Sequence, residues 1–201
     1  MSADGKIALP NRKQIRLSNQ EDFDRVNNLR KSCDAILVGI GTVLEDNPML
    51  TVKNNRNKSE NPIRIVLDTK GRTPLKSNVL NNEARTIIAV GDNCNIEKLG
   101  NSEIINCGRE QIDIRILVEK LSKIGIRKIL VEGGESVLWS FLNENLFDEI
   151  NLFVSSIIVG GEKTPTMAGG TGFTTELETL KLSLKQVVKL GNGVLLKYQK
   201  I

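Results

Sequence analysis

The apolar positions of this chain switch between two spacings. Ala35–Ile40 (AILVGI) is apolar throughout, the pattern of a strand buried on both faces. Ile63–Leu67 (IRIVL) with its polar exit Asp68-Thr69, then Thr86–Val90 (TIIAV) and the shorter Glu103–Cys107 (EIINC), repeat it. Before Lys128–Val131 (KILV) the spacing becomes helical, with Ile114, Leu117, Val118, Leu121 and Ile124 on one face and a stop at Gly125. A helix is also predicted over Asn19–Ser32, where Ser18 and Glu21 form a capping-box pattern ahead of Phe23, Val26 and Leu29. Strands alternating with helices imply a parallel sheet with helices on its faces.

The texture then changes. After Glu132-Gly133-Gly134-Glu135-Ser136 comes a helix with Val137, Leu138, Phe141 and Leu142 inward. Ile150–Val159 is strand-like, Gly160–Gly172 is glycine-rich, and Leu182–Leu190 faces Val194–Tyr198 across Gly191-Asn192-Gly193, a hairpin signal. The expected class is α/β, with a mostly parallel central sheet flanked by helices and a C-terminal antiparallel hairpin.

A length of 201 residues fits a single domain over 1–201, and the polar run Lys53–Asn61 reads as an exposed loop inside it. The formal charge of +4 is spread along the chain and aromatics are only 3%, which argues against a nucleic-acid face and leaves room for a small phosphorylated ligand. There is no histidine, and Cys33, Cys94 and Cys107 form no CxxC pair, so common zinc spacings and histidine-based triads are excluded and no metal is expected. Acid-base chemistry then falls to Lys, Asp, Glu or Tyr. The scattered cysteines, the lack of a long apolar run and a charged N-terminus point to a reduced, cytoplasmic protein. Cys33 reads as a buried small apolar residue.

Gly39-Ile40-Gly41-Thr42-Val43-Leu44 suggests a dinucleotide glycine fingerprint, but Leu44 stands where the third glycine belongs. Thr42 and Asp46 fall on one face of a helical turn, which favours a ligand site over a plain strand exit. Gly133–Ser136 lies between a strand and a helix start, where backbone amides approach an anion; a turn that needs small residues for packing reads the same way. The Gly160–Gly172 region reads as a mobile surface loop. Alone, Asp4-Gly5-Lys6 would be a solvated turn, Arg30 a helix-dipole partner, Lys53 a loop lysine, and Asp68-Thr69 a strand end.

Together, SADGKIA at 2–8, DAILVGIGTVLEDNPMLTV at 34–52, PIRIVLDTKGRTP at 62–74 and ILVEGGES at 129–136 resemble the reductase family of riboflavin biosynthesis. The resemblance implies a fold similar to dihydrofolate reductase. With no deaminase segment, it points to the stand-alone type that reduces 2,5-diamino-6-ribosylamino-4(3H)-pyrimidinone 5′-phosphate with NADPH, sometimes NADH. It places Thr42, Asp46, Thr69, Gly133, Gly134, Glu135 and Ser136 on the cofactor. Arg30, Leu50, Lys53 and Glu132 fall on the substrate, Arg30 and Lys53 toward its phosphate. Lys6 and Glu132 lie beside the sugar carbon that is reduced. A homodimer is expected. Relatives usually carry an apolar strand ahead of the SxDGKIA motif, and this chain starts at that motif, so its N-terminal strand reads as truncated or as lying upstream of Met1. Relatives often carry Arg where Lys53 stands, and Lys lacks its bidentate fork. Reduction of the deaminated uracil or of a folate-like pterin, and a non-catalytic nucleotide-binding module, remain alternatives.

Overall fold

The computed structural model describes residues 1–53, 55, 57 and 60–201; residues 54, 56, 58 and 59 of the loop expected over Lys53–Asn61 lie outside the described residues. The chain divides into two compact units, Val26–Val137, and Met1–Arg25 with Leu138–Ile201.

The Val26–Val137 unit is built on five parallel strands, β1 (Ala35–Gly39), β2 (Ile63–Leu67), β3 (Thr86–Val90), β4 (Glu103–Asn106) and β5 (Ile129–Gly133), in the order β4-β3-β2-β1-β5. The helices of the chain are α1 (Gln20–Lys31), α2 (Ile40–Asp46), α3 (Ile114–Lys123) and α4 (Glu135–Asn143). Every residue of β1 and β3 is buried, as their unbroken apolar runs require. Ile36, Val38, Ile40, Val43, Leu50, Val66 and Ile88 join one core cluster. α3 starts where the Asp113 side chain accepts from the N–H groups of Arg115 and Ile116, and it ends near Gly125, which adopts φ +89°. Cys107 is the buried thiol of this unit; burial pushes it up to about 11, with Asp113 and Asp92 adding and Lys120 opposing, so it is inert packing. Cys33, expected to be buried, is only half-buried because it sits in the loop before β1.

In the other unit, β6 (Glu149–Val154), β7 (Leu182–Leu190) and β8 (Gly193–Lys200) form an antiparallel sheet in the order β6-β8-β7. The expected hairpin is present as β7 and β8, and the described strands form two sheets, one parallel and one antiparallel. The strand expected over Ile150–Val159 stops at Val154, since the backbone beyond bonds to the N-terminal segment: Ser155 N–H donates to Met1 O at 2.9 Å and Ala3 N–H to Ile157 O at 2.8 Å. The glycine-rich loop is anchored, with Gly170 packed under Trp139 and the Phe173 ring tilted against Trp139 at 5.0 Å between centroids. α1 is capped by Asn19, whose Oδ1 accepts from Asp22 N–H at 2.9 Å, and not by Ser18. Ser18 Oγ donates instead to the Asp22 carboxylate at 2.6 Å, a buried acid that also pairs with Arg25 at 2.7 Å.

Arg64 is the largest fully buried side chain. Its position in the apolar run IRIVL gives no hint of this, because the partners come from elsewhere in the chain. Nη1 donates to Val79 O at 3.0 Å and Asn81 O at 3.2 Å, and Nη2 to Asn81 Oδ1 at 2.9 Å, so the guanidinium caps the short 3₁₀ turn Asn78–Leu80. Burial lowers its pKa, partly offset by Glu83. Arg64→Met should strand those carbonyls and cost about 3 kcal/mol, read as a lower urea midpoint at unchanged slope.

Candidate active site

In a parallel sheet all carboxyl ends of the strands share one edge, where the backbone leaves the ladder and polar groups collect. Most of the candidate residues stand there. β1 hands directly into α2, and Gly39 makes room for the next layer: a Cβ on it would lie 2.7 Å from Val137 Cγ2 at the start of α4. β5 ends less regularly. Leu37 pairs with Val131 and Val38 with Gly133, so Glu132 is skipped and forms a bulge. A bulge re-aims the side chain it carries, and Glu132 is thereby lifted out of strand alternation at the head of the glycine turn. Gly133 follows with φ +117°, a conformation open only to glycine.

Arg30, in the last turn of α1, takes up this carboxylate. Its Nε and Nη2 donate to Glu132 Oε1 and Oε2, both at 2.7 Å, and Nη1 donates to Thr51 O at 3.0 Å. The side chains are 21% and 19% exposed. Burial disfavours the Arg30 charge, but the hydrogen bonds and charge of Glu132 outweigh it and raise the pKa. One helical turn earlier, Asn27 Oδ1 accepts from Lys53 N–H at 2.7 Å. Leu50 lies between these contacts and the core: it adopts φ +46°, a strained value for leucine, and is only 2% exposed. Its side chain is therefore an anchor in the core. The Lys53 side chain is exposed. Asn27 was not anticipated, although its place three residues before Arg30 on one helix is a signal for a shared face.

The residues assigned to a cofactor also gather at this edge. Thr42 and Asp46 are both in α2, and Thr42 Oγ1 lies 3.8 Å from where a Cβ on Gly134 would stand, so the α2 start and the β5–α4 turn face each other across a narrow space. Glu135 and Ser136 begin α4, where amide groups face outward and favour an anion. Asp46 is exposed, yet nearby protein raises its pKa, with Glu45 adding. Thr69 follows β2 and its carbonyl accepts from Gly91 N–H at 3.1 Å. Asp68 beside it is buried and accepts from Thr73 N–H and Oγ1, both at 2.7 Å, shaping that exit. Beyond β3 and β4 an open hollow of about 510 Å³ is lined by Asp92, Asn106, Gly108, Arg109 and Lys120 among others. From β4 to β5 the edge spans four strand spacings, about 19 Å, which suits an extended dinucleotide. Among the described residues no group of His, Cys, Asp or Glu could hold a metal ion.

Lys6 belongs to the other unit, and it is held more firmly than a terminal turn would be. Ser2 N–H donates to Lys6 O and Lys6 N–H to Ser2 Oγ, both at 2.8 Å, while Gly5 N–H donates to Ser2 O at 3.0 Å. Lys6 also bridges to Thr166. Asp4 ties the turn down by accepting from Ser2 Oγ at 2.6 Å and from the N–H groups of Val159 at 3.1 Å and Gly160 at 2.7 Å.

The family described as RibD C-terminal domain matches residues 1–196. A relative from Archaeoglobus fulgidus named 2,5-diamino-6-ribosylamino-4(3H)-pyrimidinone 5′-phosphate reductase is 38% identical, over 96% of this chain and 91% of its own length. A protein of the same name from Methanothermobacter thermautotrophicus is 36% identical, over 98% of this chain and 94% of its own. Among solved structures, a diaminohydroxyphosphoribosylaminopyrimidine deaminase/5-amino-6-(5-phosphoribosylamino)uracil reductase from Thermotoga maritima superposes with a TM-score of 0.84 at 26% identity. It is matched over 100% of this chain and 54% of that one, so this chain spans about half the length of that two-activity protein. The architecture is the dihydrofolate reductase-like one.

Asp4 gives a pH-dependent prediction. The Ser2 hydroxyl and the Val159 and Gly160 amides lower its pKa from 3.8 to about 2. A lowered pKa means that the folded state prefers the ionised form, so this contribution is complete above the unfolded value and fades as pH falls through the folded one. Asp4→Asn should therefore lower the melting temperature at neutral pH and flatten its decline between about pH 4 and pH 2, followed by calorimetry.

Proposed function

Because the chain belongs to the RibD C-terminal domain family, we propose that it is an oxidoreductase of riboflavin biosynthesis that reduces the ribosyl group of 2,5-diamino-6-ribosylamino-4(3H)-pyrimidinone 5′-phosphate to ribityl. Residues 1–201 act as one reductase domain in this reading, in the cytoplasm. The position of Glu132 carries it, as a carboxylate raised on a bulge at the head of a glycine turn, where substrate-side and cofactor-side residues of the same unit converge. No described helix is long and apolar enough to cross a membrane.

The reaction breaks the C1′–O4′ bond, adds a hydride to C1′ and a proton to O4′. NADPH, or NADH in its place, supplies the hydride when bound. The chain supplies position and charge. Thr42, Asp46 and Thr69 with Gly133, Gly134, Glu135 and Ser136 hold the cofactor along the carboxyl edge. The Glu132 carboxylate hydrogen-bonds the sugar hydroxyls and stabilises the cationic imine formed as the ring opens. Lys6 donates the proton to O4′. The Lys53 ammonium meets the phosphate as a point charge, with Leu50 and Arg30 on the substrate side.

A second reading, reduction of the deaminated 5-amino-6-(5-phosphoribosylamino)uracil, is favoured by the likeness to the Thermotoga maritima protein, whose name includes that activity. An NADPH-oxidation assay run with each pyrimidine decides between them. With the preferred substrate, Lys6→Ala and Glu132→Gln should each lower kcat/KM by about 100-fold or more. Variants that both stay within about threefold of the parent remove the assignment. NADPH binding without turnover of either pyrimidine would leave only a nucleotide-binding module.

The proposal includes a homodimer. On β7, Leu184 and Val187 are 52% and 59% exposed, an apolar surface suited to a second copy. Light scattering in solution should give twice the mass of one chain.

A further inference from the structure

No ion pair or hydrogen bond holds the Lys6 ammonium among the described residues, so the direction of its side chain is set where its backbone is fixed. The peptide groups on both sides of the Lys6 Cα bind a single residue. Lys6 N–H donates to Ser2 Oγ and Ser2 N–H donates to Lys6 O, both at 2.8 Å. Gly5, at φ +83°, closes the same turn by donating its N–H to Ser2 O at 3.0 Å. Ser2 is itself fully buried, and its neighbours are tied to the chain beyond β6, Met1 O by Ser155 N–H and Ala3 N–H by Ile157 O. On the far side of Lys6, Ile7 N–H donates to Pro165 O at 3.0 Å.

The Ser2 hydroxyl has one proton to give and lone pairs to accept with. Asp4 Oδ1 takes the proton at 2.6 Å, which leaves the oxygen to accept from the Lys6 N–H. The Asp4 carboxylate is held in turn by the amides of Val159 at 3.1 Å and Gly160 at 2.7 Å. The main chain of Ser2 is enough to close the turn. Its hydroxyl, oriented by Asp4, is directed at residue 6.

We infer that Ser2 is a positioning residue that acts through Lys6, its hydroxyl fixing the backbone from which the lysine side chain is aimed. This rests on the reductase reading for what the Lys6 ammonium does, but not for how its backbone is held. A proton donor contributes fully only when it is held in line with the atom it serves, so a loosened Lys6 slows the chemical step and leaves ligand binding in place.

The test compares Ser2→Ala with the parent, alone and combined with Lys6→Ala. Alanine adds no bulk at this buried position and keeps every main-chain contact of the turn. Assayed well below its melting temperature, Ser2→Ala should lower kcat by about tenfold, with KM for the phosphorylated pyrimidine and for NADPH changed by less than about threefold. The combination Ser2→Ala/Lys6→Ala should be no slower than Lys6→Ala alone, within about twofold, because no ammonium is left to aim. A kcat within about twofold of the parent, or a loss carried by KM, overturns the inference. So does the same tenfold loss repeated in the Lys6→Ala background, since it marks general damage to the turn. A second measurement needs no turnover: the ¹³C resonance of the Lys6 Cε, assigned by its loss in Lys6→Ala, should move in ligand-free Ser2→Ala. An unmoved resonance overturns the inference even if the chain proves to reduce no pyrimidine. A moved resonance in a chain without turnover upholds the hold on Lys6 while the reductase reading fails.

Discussion

β1 pairs with parallel strands on both sides and buries all five of its residues, and this constraint shapes the whole Val26–Val137 unit. A strand enclosed in this way has no solvent face for polar side chains, and each unpaired polar group within it would cost desolvation free energy. Polar function is therefore displaced to the strand ends. Because the five strands are parallel, those ends coincide, and Thr42, Thr69, Glu132 and Gly134 reach one edge from separate parts of the sequence.

The charged groups that enter the interior are matched to partners. Arg64 is compensated by the carbonyls of the Asn78–Asn81 turn, Asp68 by Thr73, and Asp22 by Arg25 and Ser18. Arg64 and Asp68 bracket β2 at its two ends, so they organise the loops there without interrupting the apolar run between them. Burial of this kind stabilises little on balance, but removing one member leaves the other unsatisfied in low dielectric. Such groups specify how loops meet the sheet more than they add stability.

The Arg30–Glu132 pair follows the same logic with a different result. Both side chains are about one-fifth exposed, so the contact is shielded enough to hold its geometry and open enough to meet a ligand. The strained backbone at Leu50 fits with it: its side chain is locked in the core, and the segment it anchors is held from the other side by Asn27 and Arg30. Rigidity of the Leu50 segment thus comes from α1, while the β1 exit depends on close packing against α4 through Gly39 and Val137.

Much of this was legible in the sequence. Apolar runs located β1, β2 and β3, helical spacing located α3, and the Gly191-Asn192 turn located the hairpin, because burial periodicity and turn preference act over a few residues. The glycine turn at Gly133-Gly134 and the helical face shared by Thr42 and Asp46 were legible for the same local reason. Other features were not. The bulge at Glu132 exists only in the register of β5 against β1, and Arg30 meets its carboxylate across 102 residues of chain. Asn19 displaces Ser18 as the α1 cap because Asp22, a buried acid, draws the serine hydroxyl away. The sequence by itself determined which segments become strands, helices and glycine turns. Only the tertiary structure decided which partner each charged side chain takes, since that choice depends on which distant groups are brought within hydrogen-bonding reach and away from water.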